Sequence, residues 1–375
     1  VISERQAVSE DDSQPRILRR VVFFVAGFDP RGVAGYHKRI AEALSGEAEP
    51  GPPERRGPFE TRWTWRTAGA RTTFVFLHWD DIVAQHWRGK GRLGAQIAAV
   101  RALWVYSRCG LLARARDGAR AVRWALLVMG LAPIVLGLGA LVFTLAIGAF
   151  GAWALPQGGW AALPAFVLAL WAGDRAWRRL NLEWLAKGFA AIVETAKGEA
   201  TPWDERCAAF ADILAVAQTE DDCDEIVVIG HSLGAILAMK TLAAYLARGA
   251  PPRLRIAFAT LGNIIPFYTW LEPDRRAMRE GETVAGSADV EWMDITSGSD
   301  PASACRMGPL VGASVSVPRW EPAFHDILTP ERFRYIRRRP LDFHFQYLKP
   351  SDADGGFDLI RMMSGAAPFF AGAPR

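Results

Sequence analysis

Short runs of β-branched and aromatic residues recur along the chain, each closed by a Gly, Pro or Asp turn. Residues 20–26 (RVVFFVA) are almost wholly apolar and end in Gly27-Phe28-Asp29-Pro30-Arg31-Gly32. A run apolar on both faces of its pleat is the pattern of a buried strand in a mostly parallel sheet. Residues 72–77, 226–229, 254–260 and 290–295 repeat the pattern. Between them, residues 36–44, 93–123, 181–197, 202–217 and 235–240 read as helices, with Thr201 placed to cap one of them. Residues 46–57, rich in Glu, Pro and Gly, read as a surface loop. Strands alternating with helices predict an α/β fold, and no internal repeat is visible.

One stretch breaks this rhythm. From residue 124 to residue 173, about fifty positions, no side chain is charged. The first part, to about Ala154, is long enough to span a bilayer, which takes about 20 apolar residues. Residues 155–159 (LPQGG) form a turn by composition, and residues 160–173 are a second, shorter apolar segment. Trp124, Trp153, Trp160, Trp171 and Trp177 fall near the ends, and Gly137, Gly139, Gly148 and Gly151 offer small packing surfaces. Residues 121–178 therefore read as an inserted transmembrane two-helix hairpin, with a re-entrant hairpin and a buried core pair as the alternatives. Arg88, Lys90, Arg92, Arg101, Arg108, Arg114, Arg116, Arg120 and Arg123 precede it, and Arg175, Arg178, Arg179 and Lys187 follow. By the positive-inside rule both flanks are cytoplasmic, which predicts an inner-membrane protein with its main domain in the cytoplasm.

Composition adds limits. Half of the residues are hydrophobic, Trp occurs fifteen times, and the net charge is +4. That balance, without a zinc-finger or RNP-like pattern, argues against nucleic acid as a partner. Cys109, Cys207, Cys223 and Cys305 lack C-x-x-C spacing and read as reduced thiols. Residues 1–15 are polar and acidic, with no apolar signal-peptide region; the absent initiator Met reads as a processed or truncated start. Asp80 and Asp81 after Trp79 lack a His or Glu partner nearby, so a solvated strand end is expected there and no metal or other cofactor is implied.

The chemistry concentrates at Gly230-His231-Ser232-Leu233-Gly234. The apolar run 226–229 leads into it and a helical pattern, residues 235–240, leaves it. G-x-S-x-G between a strand and a helix puts the serine on a strained elbow, with glycines where strand and helix crowd each other. A serine hydroxyl is a weak nucleophile alone, so the motif calls for a base and an acid elsewhere.

With this elbow, residues 20–80 and 222–350 resemble an α/β-hydrolase, nearest in feel to lipases and esterases. The resemblance implies a mostly parallel sheet with helices on both faces and a triad in the chain order Ser, acid, His. Only His325 and His344 follow the serine. His344, in a loop opening a terminal helix, is the favoured base, and His325 the alternative. Asp300, in the loop 296–301 after a strand, is the favoured acid, with Asp294 at the strand end as the alternative. The oxyanion hole would use the Leu233 amide and one from the first-strand loop, Phe28 or Asp29. A Gly-Phe-Asp-Pro loop stands where relatives commonly carry His-Gly, and Asp29 is equally suited to capping a helix.

The domain plan expected is a polar segment (1–19), a first hydrolase part (20–120), the membrane insertion (121–178), a second hydrolase part with the elbow (179–350) and a tail (351–375). The expected function is ester hydrolysis on a lipid or other apolar acyl substrate, through Ser232, His344 and Asp300 and an acyl-enzyme. The alternatives are acyl transfer or thioester cleavage on the same triad, or a non-catalytic binding module of the same fold. Oligomeric state is not legible.

Overall fold

The computed structural model describes residues 16–44, 46–118, 120–155, 157–196, 201–220, 222–272, 275–353 and 356–374. Most of the polar N-terminal segment lies outside them. Eight strands form one mixed sheet among the described residues: β1 Arg19–Val25, β2 Glu54–Arg55, β3 Glu60–Arg66, β4 Arg71–Leu77, β5 Glu225–His231, β6 Ile256–Leu261, β7 Val290–Ile295 and β8 Arg319–Trp320. Their order is β2-β3-β4-β1-β5-β6-β7-β8. Every pairing from β4 to β8 is parallel, and the β2–β3 and β3–β4 pairings are antiparallel, so β3 alone runs against the others.

The strands are apolar on both faces because both faces are covered. Val21, Phe23 and Val25 of β1 enter one core, while Val22 and Phe24 enter the other. That period-2 division is what a pleated strand between two helical layers requires. The second core holds α1 (Gly32–Ala43), whose Tyr36 and Ile40 pack on Phe24, Phe74 and Phe76. The first core is larger. It holds α2 (Asp80–Gly89), α3 (Arg92–Arg108), α4 (Leu111–Gly118), α5 (Arg120–Ala154), α6 (Ala162–Arg179), α7 (Leu182–Thr195), α8 (Pro202–Thr219) and α9 (Gly234–Leu246) in part or whole. Thr201 and Asp204 build a reciprocal capping box at the start of α8.

Several elements depart from the expected layout. The helix expected over residues 93–123 is divided among α3, α4 and the start of α5; Gly110 turns the chain between α3 and α4 at φ +77°, and residue 119, between α4 and α5, lies outside the described residues. The loop 46–57 contains the short strand β2, and β3 was not anticipated at all. In the segment read as a tail (351–375), the described residues Phe357, Leu359, Ile360, Met363 and Phe369 join the core on one face of the sheet. Met363 and Phe369 are buried, and the Arg20 guanidinium donates to the carbonyls of Met363, Gly365 and Ala367 at 2.7, 2.9 and 2.6 Å. Buried Arg20 is thereby satisfied by backbone oxygens as well as by Glu225, which makes the C-terminal segment part of the core.

Helix α5 is 35 residues long with Pro133 inside it. It is long and apolar enough to cross a membrane, and only 22% of its most apolar window is buried. Val122, Leu126 and Met129 enter the large core, and Gly130 abuts Leu103 of α3. Beyond that point α5 leaves the body. Val135, Val142, Leu145 and Phe150 stand open on it, and Leu163, Val167 and Leu168 stand open on α6. The two helices lie side by side: a side chain at Gly173 would meet Leu136, and one at Gly148 would meet Ala162. Cys109, Cys207, Cys223 and Cys305 are unpaired.

Candidate active site

The chain leaves β1 toward β4 on one side and returns through β5 on the other. The carboxyl ends of β1 and β5 thus flank the point where strand order reverses, where open α/β sheets hold their ligands. Phe28 follows one strand and Ser232 the other.

Ser232 has φ +57°, in the left-handed region, and its amide donates to the Leu261 carbonyl at 2.9 Å. A non-glycine residue held there carries strain of about 1 kcal/mol or more. The crowding that imposes it is visible in the flanking glycines. A Cβ on Gly230 would stand 2.5 Å from the Ala235 Cα, and one on Gly234 would run into the carbonyls of Val25 and Ala26. Gly27 is equally constrained, since its Cβ would lie 2.9 Å from that of Ser232.

Asp300, in the loop after β7, and His344, which closes the short helix Pro340–His344 instead of lying in the expected loop, are brought together from 44 residues apart. The His344 Nδ1 meets Asp300 Oδ2 at 2.8 Å, and both side chains are fully buried. The Tyr347 hydroxyl donates to the same oxygen at 3.2 Å and accepts the Ser297 amide at 2.8 Å. The Ala302 amide donates to Asp300 Oδ1 at 2.9 Å. Burial, then the charge of Asp300, pushes the Tyr347 phenol well above its ordinary value, so it stays a donor. A carboxylate beside Nδ1 fixes the proton there and leaves Nε2 as the acceptor nitrogen. That Nε2 is buried and has no hydrogen-bond partner.

A hydrogen bond between Ser232 Oγ and His344 Nε2 was expected and is not formed. In unliganded sites this bond is commonly long and tightens when substrate binds. The two residues are nonetheless neighbours through Gly262, at φ +53° directly after Leu261. A Cβ on Gly262 would stand 2.9 Å from Asp300 Oδ2 and 3.3 Å from His344 Nδ1.

The amide of Asp29 is taken by the Gly27 carbonyl at 2.7 Å. Among the described residues, no hydrogen bond runs from the amides of Phe28 or Leu233. Phe28, Ser232 and Leu233 line one cavity of about 20 Å³, roofed by Trp184, Leu185, Gly188 and Phe189 of α7. Two open amides beside a hydroxyl are the arrangement that receives an oxyanion. Asp29 instead binds the Arg31 amide at 3.1 Å and its guanidinium at 2.6 Å, a local turn ahead of α1, whose N-cap position is Arg31 and not Asp29.

The alternatives sit elsewhere. His325 is exposed, pairs with Asp326 at 3.3 Å and sets its ring edge against Phe333. Asp294 is buried and accepts from Thr260 at 2.7 Å, from Thr296 at 3.3 Å and from Asn263. Burial pushes it up to about 6, against those hydrogen bonds. Contrary to the expectation of a solvated strand end without a His partner, Asp80 and Asp81 lie in the first turn of α2; Asp80 binds His78 at 2.9 Å and Asp81 binds Arg206 at 2.7 Å.

Three contributors were missed in the sequence. His231 donates from Nε2 to the His344 carbonyl at 2.8 Å. Tyr347 holds Asp300. Trp184 donates to the Phe28 carbonyl at 2.7 Å and lays its ring against His344, centroids 5.9 Å apart. His231 carried a signal, being the variable position of the elbow motif; Trp184 carried none. No protein-family model, curated protein or solved structure matches the chain.

Proposed function

We propose that the chain is a membrane-anchored serine hydrolase of the α/β-hydrolase kind, cleaving an ester of a lipid or other apolar acyl group. The observation that carries this is the left-handed Ser232 between β5 and α9, beside the buried Asp300–His344 pair. In this reading Ser232 Oγ attacks the ester carbonyl while His344 Nε2 takes its proton. The Leu233 and Phe28 amides receive the developing oxyanion. The carbonyl–oxygen bond then breaks, and His344 returns the proton to the departing alkoxide. Water, deprotonated by the same nitrogen, releases the acid and restores Ser232. Acyl transfer or thioester cleavage would use the same groups and differ in acceptor or leaving atom.

The membrane assignment is supported by the open apolar faces of α5 and α6. A contiguous exposed surface of that kind is unstable in water and stable in lipid. With the basic flanks on the cytoplasmic side, the sheet domain faces the cytoplasm. Not every flanking cation serves the membrane: Lys187 is buried, paired with Glu183 at 2.8 Å and bonded to the Trp87 carbonyl at 2.9 Å.

Labelling of detergent-purified protein with a fluorophosphonate tests the enzyme reading. The adduct should map to Ser232 by mass spectrometry. A folded protein inert to the probe would favour a binding module instead.

A further inference from the structure

Trp184 has a second face. On one side it roofs the small cavity at Ser232; on the other it walls a cleft of about 640 Å³. The floor of that cleft is Phe345, whose ring lies 5.8 Å from that of His344. The cleft is thus on the histidine side of the site. In a serine hydrolase the histidine protonates the departing group, so the alcohol portion of the ester leaves on that side. The small apolar cavity under α7 lies on the other face of Trp184, toward Ser232.

The cleft carries four cations, Arg31, Arg39, Arg332 and Lys349, against Asp29, Glu42 and Asp342. Two of the cations are already engaged: Arg31 by Asp29 at 2.6 Å and Arg332 by Asp352. The other two are less fully held. Arg39 is ion-paired with Asp29 Oδ2 at 3.6 Å, but its buried Nη1 has no hydrogen-bond acceptor among the described residues. Its guanidinium is fixed over the Phe345 ring, 4.8 Å from the centroid. Lys349 makes no ion pair among the described residues, and Asp342 acts on it only at a distance. Burial pushes its ammonium below the ordinary value, and repulsion by Arg332, Arg39 and Arg31 adds to that. A buried donor without an acceptor is costly, and an incoming anion would relieve both cations at once. Asn181, which also lines the cleft, stands two positions beyond the end of α6, so the cleft opens beside the apolar helix pair.

We propose that this cleft binds an anionic group of phosphate type on the alcohol side of the substrate ester, with Arg39 and Lys349 as its cationic ligands. The proposal rests on the hydrolase reading above.

The test uses the full chain in detergent and two matched pairs of esters, acylglycerol against acylglycerol phosphate, each in a hexanoyl and a dodecanoyl form. Wild type should cleave the phosphate member with a kcat/KM about tenfold or more higher, a difference expected of one charge-assisted contact. Lys349→Gln should bring the ratio toward one through KM, and Lys349→Arg should restore it. Fluorophosphonate labelling of each variant reports whether the site is folded. A preference shared by the short and long pairs supports recognition of the group itself, whichever substrate supplies it. A preference confined to the dodecanoyl pair reflects the surface charge of micelle-bound substrate and overturns the proposal. So does an equal kcat/KM within each pair, or a ratio unmoved in Lys349→Gln, and in those cases ester hydrolysis still stands. If no ester is cleaved and Ser232 is unlabelled, the hydrolase reading fails and the cleft assignment falls with it.

Discussion

The imidazoles of His231 and His344 lie against each other, centroids 4.8 Å apart, and His231 Nε2 donates to the His344 carbonyl at 2.8 Å. The hydrogen bond suits either form of the ring, but the burial of the pair disfavours a charged His231. Burial, then the proximity of His344, pushes the His231 ring well below its ordinary value of 6.5.

The pH consequence has a definite sign. Below pH 6.5 the unfolded chain binds a proton at His231 that the folded chain refuses, so stability is full above that value and falls as pH drops. His231→Gln keeps a donor for the His344 carbonyl and does not titrate. The variant should be less stable at pH 8, having lost ring packing, yet its thermal midpoint should fall less steeply from pH 6.5 downward. Differential scanning fluorimetry across pH 5–8 checks this; parallel slopes for variant and wild type would refute it.

Gly262 marks how tightly the acid and base are held. Its left-handed φ of +53° and the 2.9 Å approach of its Cβ position to Asp300 Oδ2 leave no room for a methyl group. Gly262→Ala should therefore push the Asp300–His344 pair apart and lower kcat about as much as Asp300→Asn, on the order of 10⁴-fold for loss of the orienting acid. Steady-state ester hydrolysis by both variants decides it. A Gly262→Ala enzyme within tenfold of wild type would show that the pair is not rigidly seated.

Strain at Ser232 separates function from stability. Ser232→Ala should abolish turnover and keep the strain, because alanine also resists a positive φ. Ser232→Gly should abolish turnover and stabilise the fold by about 1 kcal/mol, since glycine accepts that conformation at no steric cost. Comparing the two midpoints in denaturant tests the idea. Equal midpoints would mean that the elbow holds no strain relieved by glycine.

What the sequence disclosed follows the strength of each local signal. Uniformly apolar strands such as β1 and β5 were legible because burial on both faces leaves no polar position. β3 alternates instead, with Thr61, Trp63 and Trp65 inward, and its charged outer positions hid it. Asp300 and His344 were reachable through the chain order of the resemblance, and the fold brings them together. Trp184 was not reachable, since it acts through contacts to Phe28 and His344, more than 150 residues away in sequence. Lys349 and Arg39 likewise converge only in three dimensions, and each looks like an ordinary surface cation in one.

The helix pair gives the last prediction. Val135, Val142, Leu145 and Phe150 of α5 and Leu163, Val167 and Leu168 of α6 are exposed on the isolated chain. Removing such side chains from water gains about 1.5–3 kcal/mol each, and seven of them outweigh the attraction of a few flanking arginines to lipid headgroups. The protein should stay with membranes through high salt and carbonate and need detergent for release. Gln157→Cys, in a background lacking the four native cysteines, should react with an impermeant maleimide added outside intact cells. A cysteine in place of Glu49, in the loop before β2, should not. Release by salt alone would make α5 and α6 a surface that binds something other than lipid. Retention without labelling of residue 157 would place the turn inside one leaflet, as a re-entrant pair, with the shorter α6 stopping short of the far side.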